Sequence, residues 1–551
     1  MNRLFCTATL TGLTLAHLWG FTGEANASDE KMAWWHEAKF GLFVHFGLYA
    51  VPANTSEWHM RVTKKSIAEY SKYADQFNPT NFNANEWAQI AQEAGMKYMV
   101  IVTKHHDGFA LFQSAASQYN IVDATPFKRD IVQELAEACP RHDVKFGVYY
   151  SLIADWGHPG GGIGCPPWDP AQRGDRETYF NGVAFPQVRE LLTKYGPISE
   201  IWFDTDGPDR PTAEQAARVA SLIKEYQPTT IVNDRVIKGD FSVAEVHMPA
   251  QANPRNWEGC DVIISGSWGY LRSYRPQDVK PLSVLIRQLV DVVSKGGNFL
   301  LNVGPKPDGT FPQDSIDRLK GIGAWLKVNG ESIYGATASP FAFLPWGRCT
   351  RKGEMLYLHI FDWPADGRIR IPMTNEIVSA RLLGDGGKSA LKAQQVGSEL
   401  VVSLPAIPPD PIASVVVLQV RGEPQITRSL NFNKPTEASA IVDESKFAVD
   451  ADPGTAWQIP EGGPSWLAVD MQADTTFNTL RIGLGRGRIT EFSLDYWLND
   501  HWETIIADQK LPLDESVRTF APVTARKVRL NFKEAAKEVI RLNSFELFHA
   551  H

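Results

Sequence analysis

The stretch SEIWFDTDGP (Ser199–Pro208) decides the fold. Ile201, Trp202 and Phe203 are strand-forming side chains, and Gly207-Pro208 ends the run. It reads as a short buried strand that stops at two carboxylates. Side chains alternate along a strand, so Trp202, Asp204 and Asp206 are expected on one face and Ile201 and Phe203 on the other. A carboxylate at the C-terminal tip of a strand is where a (β/α)8 enzyme keeps its reacting groups. On an isolated strand the same pattern is equally well two solvated acids, so the neighbouring segments must decide.

Those segments repeat the pattern. Strands are expected at Gly41–Phe46, Lys97–Thr103, Lys145–Ser151, Glu200–Thr205, Thr230–Asn233, Ser242–His247, Val262–Gly266 and Asn298–Gly304. Helical periodicity marks Asn85–Ala94, Asp130–Ala138, Ala213–Tyr226, Ser283–Ser294 and Ser315–Val328. Eight strands alternating with helices predict an α/β fold, a TIM-like (β/α)8 barrel over residues 28–338. Clear helices are missing around the fifth to seventh strands. Beyond Tyr334 the texture becomes short strands between Pro, Gly and Asp turns. It predicts a small antiparallel β-sandwich over 339–422, a linker at Gly422–Pro424 and a second all-β unit over 426–551.

The 551 residues are 43% hydrophobic with a net charge of -8 and no long basic run, which argues against nucleic acid as a partner. Met1–Ala27 has the pattern of a signal peptide. Arg3 precedes a mostly apolar run, and Ala25-Asn26-Ala27 fits a small-residue cleavage site. The run is too short to span a bilayer, so export is expected, with a periplasmic or secreted mature chain. Cys139, Cys165, Cys260 and Cys349 are too few and too scattered for a disulfide framework or a zinc site; one bridge is possible.

Polar and aromatic residues gather at the strand ends. His45 ends the first strand and Glu57-Trp58 follow it. Lys104-His105-His106-Asp107 follow the second, Tyr149-Tyr150 end the third, and Asp204 ends the fourth. Asn233-Asp234-Arg235 end the fifth, Glu245 lies on the sixth and Trp268 follows the seventh. Two chemistries fit. His45, His105, His106 and Asp107 could ligate a metal, as in a metal-dependent hydrolase. Adjacent strand residues point opposite ways, however, and no His-x-His spacing is present, so no metal is expected. A pair of carboxylates flanking a glycosidic bond is the other reading.

The blocks WHEAKFGLFVHFG (Trp35–Gly47), EW (Glu57-Trp58), TKHHDGF (Thr103–Phe109), GVYYS (Gly147–Ser151) and IWFD (Ile201–Asp204) resemble those of the glycoside hydrolase family 29 α-L-fucosidases. So do VNDR (Val232–Arg235), WEGC (Trp257–Cys260), SWGY (Ser267–Tyr270) and VVSKGGNFLLNVGP (Val292–Pro305). The resemblance spans Lys31 to Tyr334. It implies a retaining exo-α-L-fucosidase that needs no cofactor and takes terminal fucose from fucosylated glycans. Asp204 matches the nucleophile, and Asp206 has no match. His45, Glu57, Trp58, His105, His106, Tyr150, Trp202 and Arg235 match fucose-holding positions, and Trp268 an aromatic beside the C6 methyl. Two glutamates compete as acid/base: Glu245, which we prefer, and Glu258. A carbohydrate-binding protein on an inactive barrel is the alternative, against which the retained carboxylates argue.

The last unit is similar to a discoidin-type module. The likeness lies in VDES (Val442–Ser445), DPGTAW (Asp452–Trp457), WLAVDM (Trp466–Met471), FSLDY (Phe492–Tyr496), ARKVRL (Ala525–Leu530) and FELF (Phe545–Phe548). Such modules often bind carbohydrate. No aromatic trio in its loops marks a sugar site, so a structural appendage stays open.

Overall fold

A computed structural model describes residues 27–549 apart from 163–165, 205–209, 247, 250–252, 254, 385–388, 398, 453–454, 460–463, 487–488, 509–514 and 536–538. Residues 1–26 of the expected signal peptide, Asp206, Cys165 and His247 lie outside the described residues. Eight parallel strands curl into one sheet. They are β1 (Phe40–Val44), β2 (Tyr98–Lys104), β3 (Lys145–Tyr150), β4 (Glu200–Phe203), β5 (Ile231–Val232), β6 (Ser242–Glu245), β7 (Trp257–Val262) and β8 (Asn298–Val303). Their order is β5-β4-β3-β2-β1-β8-β7-β6. The two ends meet through the bridge Asn233↔Phe241, which closes a TIM-like barrel.

Period-2 alternation sorts the strands into two cores. Phe43, Val100, Tyr149, Trp202, Cys260 and Leu300 fill the barrel interior over a plug made by Met32 and Trp35. Leu42, Val44, Ile101, Val148, Ile201 and Phe203 face outward, into the layer of helices. Both faces are therefore apolar, as a parallel sheet covered by helices requires. The helices Ala84–Glu93, Ile131–Arg141, Ala213–Tyr226, Leu282–Ser294 and Gln313–Asn329 match the expected periodic segments to within a few residues. Asn83, Asp130 and Thr212 cap three of them by accepting from backbone N–H groups of the first turn. Among the described residues no helix joins β5 to β6 or β6 to β7. The β5–β6 crossing is instead tied by Asp240, which accepts from Val232 N and from Lys31 Nζ, each at 2.8 Å.

The seventh strand differs from expectation. It runs over Trp257–Val262 and not Val262–Gly266, in register with β8 from Glu258↔Asn298 to Val262↔Asn302. Glu258, Gly259 and Asp261 make the segment look like a loop. They are tolerated because each acid finds a partner: Tyr98 donates to Glu258 at 2.5 Å, and Lys280 lies 2.5 Å from Asp261.

Two all-β domains follow. The first pairs a four-stranded and a three-stranded antiparallel sheet around Leu358, Ile369, Leu400 and Leu418. Its strands include Gly347–Lys352, Met355–Ile360, Arg368–Ile371, Ala393–Val396 and Ser414–Val420. The expected linker is not free chain. Asn375 donates to Arg421 O and Glu423 O, and Thr427 N reaches Pro372 O, so the crossing comes later, near Arg428. The second domain is a seven-stranded sheet over a core that includes Trp457, Leu467, Phe492 and Phe545. Cys139, Cys260 and Cys349 are buried free thiols. Among the described residues no helix is long and apolar enough to cross a membrane.

Candidate active site

Asp204 leaves β4 at the C-terminal mouth of the barrel and becomes the hub of a polar cluster. Tyr149, on β3 in register with Trp202, donates its hydroxyl to Asp204 Oδ2 at 2.6 Å. His106 Nε2 lies 3.4 Å from the same oxygen, and Arg235 Nη1 lies 3.4 Å from Oδ1. The other η nitrogen of Arg235 pairs with Glu245 Oε1, so one guanidinium touches both carboxylates. Asp204 and Glu245 keep 22% and 36% of their side-chain surface, which leaves both within reach of a ligand. Val246, directly after Glu245, is a β-branched residue at φ 62°, a strained conformation at the edge of the cleft.

The electrostatics follow from these contacts. Burial pushes Asp204 upward, but the His106 and Tyr149 hydrogen bonds and the charge of Arg235 outweigh it and hold the carboxyl well below the usual range. His106 also loses charge stability to burial. Its bond to Asp204 outweighs that loss and raises it above an ordinary histidine. Ser151 Oγ donates to Ala154 O, so His106 Nδ1–H donates to Ser151 Oγ and leaves Nε2 toward Asp204. Burial lowers His45 to about 4 and pulls His105 well down, helped by the neighbouring His106. The cluster thus sets one imidazole favoured in its charged form beside two that burial disfavours in theirs.

Around this hub sit the walls. Asn302 Nδ2 donates to Trp268 O, so Asn302 Oδ1 accepts from His45 Nδ1 at 2.7 Å, and His45 Nε2 is left as an acceptor. Glu57 Oε2 accepts from Ser267 Oγ at 2.8 Å and Trp268 N at 2.9 Å, tying the loop after β1 to the one that carries Trp268. Trp202 and His105 stack on either side of Tyr149, at 19° and 6°. Trp58 meets His106 edge-on with centroids 5.5 Å apart. The Trp268 ring lies 5.3 Å from His45, so an apolar face adjoins the nitrogen and oxygen donors and acceptors, a combination suited to a small sugar with both hydroxyls and apolar surface.

Ten of the twelve expected site residues come together here: His45, Glu57, Trp58, His105, His106, Trp202, Asp204, Arg235, Glu245 and Trp268. Two do not. Tyr150 points outward and donates to Gln187 Oε1 at 2.7 Å; strand alternation puts Tyr149 inside in its place. Glu258 is wholly buried near the start of β7, facing Glu200 and bonded to Tyr98, well below the mouth. Burial lifts it to about 7. Tyr149 and Asn302 are the additional members. Both fall on the inward phase of their strands, which counting by twos from Gly147 or Asn298 would have revealed.

Both histidines reach the cleft because β2 ends at Lys104 and the chain turns there, so the expected opposition of adjacent side chains does not apply. His105, His106 and Asp204 offer ligand atoms within 4.8 Å of one another, a set able to hold a metal ion. The Arg235 cation on Asp204 opposes a second cation at that point.

The chain matches the family model of α-L-fucosidase over residues 19–331 and that of the F5/8 type C domain over residues 425–543. Human plasma α-L-fucosidase is 34% identical over 404 residues, which cover 66% of this chain and 84% of that protein. The crystal structure of α-L-fucosidase from Vibrio sp. strain EJY3 is 28% identical and covers 93% of this chain and 97% of its own, with a TM-score of 0.75. A family 29 α-L-fucosidase from Bacteroides thetaiotaomicron, solved as a trapped covalent intermediate, is 28% identical over 72% of this chain and 97% of its own, with a TM-score of 0.64. With Asp204 and Glu245 on one guanidinium at the mouth of the barrel and a discoidin-like F5/8 type C domain behind it, this chain belongs to the α-L-fucosidase family of glycoside hydrolases, family 29.

Proposed function

We propose that the protein is a retaining exo-α-L-fucosidase acting on fucosylated glycans, with Asp204 as nucleophile and Glu245 as acid/base. The observation that carries this reading is Arg235, which contacts both carboxylates at once. A single guanidinium keeps them close. That favours the separation of about 5–5.5 Å used by retaining enzymes over the roughly 6.5–9.5 Å that leaves room for a water in inverting ones.

Asp204 Oδ attacks the anomeric carbon as the bond to the leaving oxygen breaks, and that oxygen takes the proton of Glu245. Glu245, now ionised, then removes a proton from water. The resulting oxygen attacks the same carbon, the bond to Asp204 breaks, and fucose departs with its configuration retained. His106, Tyr149 and Arg235 keep Asp204 ionised between turnovers. His45, Glu57, Trp58, His105, Trp202 and Trp268 surround the sugar. The covalent intermediate trapped on the Bacteroides relative supports the two-step course. The N-terminal pattern of Arg3, an apolar run and Ala25-Asn26-Ala27 supports export, which N-terminal sequencing of the mature chain would check.

The test is proton NMR during cleavage of an aryl α-L-fucoside. The first-formed sugar is expected to be α-fucose; initial β-fucose would overturn the retaining assignment.

A further inference from the structure

One ring away from His106 lies a second hollow. The Trp156 ring sits 5.3 Å from His106 and 5.5 Å from Trp58, and it lines a cavity of about 240 Å³ with Trp168, Gly161, Gln172 and Arg173. Its walls are fixed. Trp168 donates its indole N–H to Lys65 O at 2.8 Å, and Gln172 donates to Trp156 O at 3.1 Å. Its floor is backbone: a Cβ at Gly161 would lie 2.4 Å from Asp155 O, and one at Gly160, with φ +84°, 2.3 Å from Asp175 O.

Arg173 lines it, and a second cation, Arg61, lies against the ring of Trp156 that forms its wall. Arg61 lays its guanidinium 4.8 Å from the centroid of Trp58 and 5.9 Å from that of Trp156. Among the described residues no carboxylate lies within ion-pair distance of Arg61 or Arg173. The nearby acids are engaged elsewhere. Asp169 accepts from Ile67 N and Ala171 N, and Asp155 is buried against Lys104 at 2.6 Å. A guanidinium stacked on an aromatic face keeps its N–H edge for a planar or tetrahedral anion. Apolar ring faces beside such donors suit a sugar.

We propose that this hollow is a subsite for an anionic group of the glycan, a sulfate or a carboxylate, held by Arg61 and Arg173 beside the fucose pocket. It rests on the fucosidase reading above. The anion belongs either to the leaving sugar or to the fucose ring, and the experiment separates the two.

Three aryl α-L-fucosides of matched leaving-group acidity are compared: neutral, sulfated on the aglycone, and sulfated on the fucose ring. The readout is kcat/KM for each sulfated substrate relative to the neutral one. Arg61→Met keeps the stem packed on Trp58 and is expected to lower the ratio for one sulfated substrate about tenfold, the loss of one charge-assisted contact. Arg173→Met, at an exposed position, is expected to lower it about threefold. Added salt should erode the ratio more in the wild type than in Arg61→Met, where only Arg173 remains to be screened. Equal ratios in wild type and Arg61→Met for both sulfated substrates overturn the subsite. Failure of the wild type on the neutral substrate overturns the fucosidase reading instead. Where the ring-sulfated substrate is the one affected, calorimetric titration with fucose sulfates against fucose reads the same preference without turnover.

Discussion

Tyr149 donates to Asp204 across 2.6 Å, and the two residues come from neighbouring strands whose register places Tyr149 opposite Trp202, one inward step before Asp204. This bond is one reason that Asp204 stays ionised, after burial and the His106 hydrogen bond have been counted. Removing it moves the carboxyl back toward the ordinary range. Tyr149→Phe should lower kcat/KM by about 10–100-fold, the worth of a hydrogen bond to a charged group. The acidic limb of its pH profile should shift to higher pH. A limb that stays in place would show that Tyr149 does not hold the charge of Asp204. Tyr150→Phe, on the outer face, should leave that limb alone.

Asp204→Gly should abolish turnover, and azide or formate should restore part of it by occupying the space of the lost carboxylate. The product formed with azide is read by mass spectrometry. Asp206→Gly serves as the comparison and should need no rescue. Rescue at Asp206 and none at Asp204 would reassign the nucleophile.

Most of the barrel was legible because parallel strands buried on both faces leave long apolar runs between helical segments, as in Tyr98–Lys104. The eighth element and the helices could be placed to within a few residues. The seventh strand escaped because Glu258, Gly259 and Asp261 carry loop-like chemistry, and their partners Tyr98 and Lys280 come from distant parts of the chain. The site was legible in its residue types and less so in its geometry. Tyr149 and Tyr150 are adjacent and identical, and only the phase of the strand tells them apart. His105 and His106 were separable from a strand pair only by knowing that β2 stops at Lys104. Glu258 looks as good an acid as Glu245 until its depth in the barrel is known.

Chelation should not touch activity. His105, His106 and Asp204 could hold an ion, yet Arg235 already supplies positive charge to Asp204. Turnover of an aryl fucoside is expected to be unchanged after EDTA dialysis. Loss of activity restored by zinc would assign the cluster to a metal.

The catalytic barrel and the sandwich share packing. Arg287 donates to Ile412 O at 3.1 Å and also to Phe361 O, and Trp325 donates to Ala413 O. The C-terminal module meets the sandwich through Phe343 and Phe548, with centroids 5.8 Å apart. Cutting at Gly422 would strip the sandwich of the strand of chain held by Asn375, so the stop belongs after Arg428. That truncation should keep turnover of a small aryl fucoside within about twofold, since such a change is well under 1 kcal/mol. A folded but inactive product would place part of the site in the module.

Glu245 and Glu258 are separated by what each change should do. Glu245→Ala should spare glycosylation of an activated aryl fucoside, whose leaving group needs little protonation, while slowing natural glycans and flattening the alkaline limb. Glu258 should act on stability. Burial raises its pKa from about 4.5 to about 7, and burial also pushes its neighbour Glu200 well up. The folded state therefore holds protons that the unfolded chain gives up. This contribution is complete below the unfolded pKa and is lost as pH rises from about 4.5 through about 7. Asp204 and Asp155, both depressed, contribute in the opposite sense and at lower pH. Glu258→Gln keeps a neutral group of the same shape. Relative to wild type it should gain stability as pH rises across that window, by up to about 3 kcal/mol. Thermal melts of both proteins between pH 4.5 and 8 measure the difference. A constant offset across the window would mean that Glu258 does not titrate there. If Glu258→Ala instead shows the activated-substrate signature and Glu245→Ala does not, the acid/base role passes to Glu258.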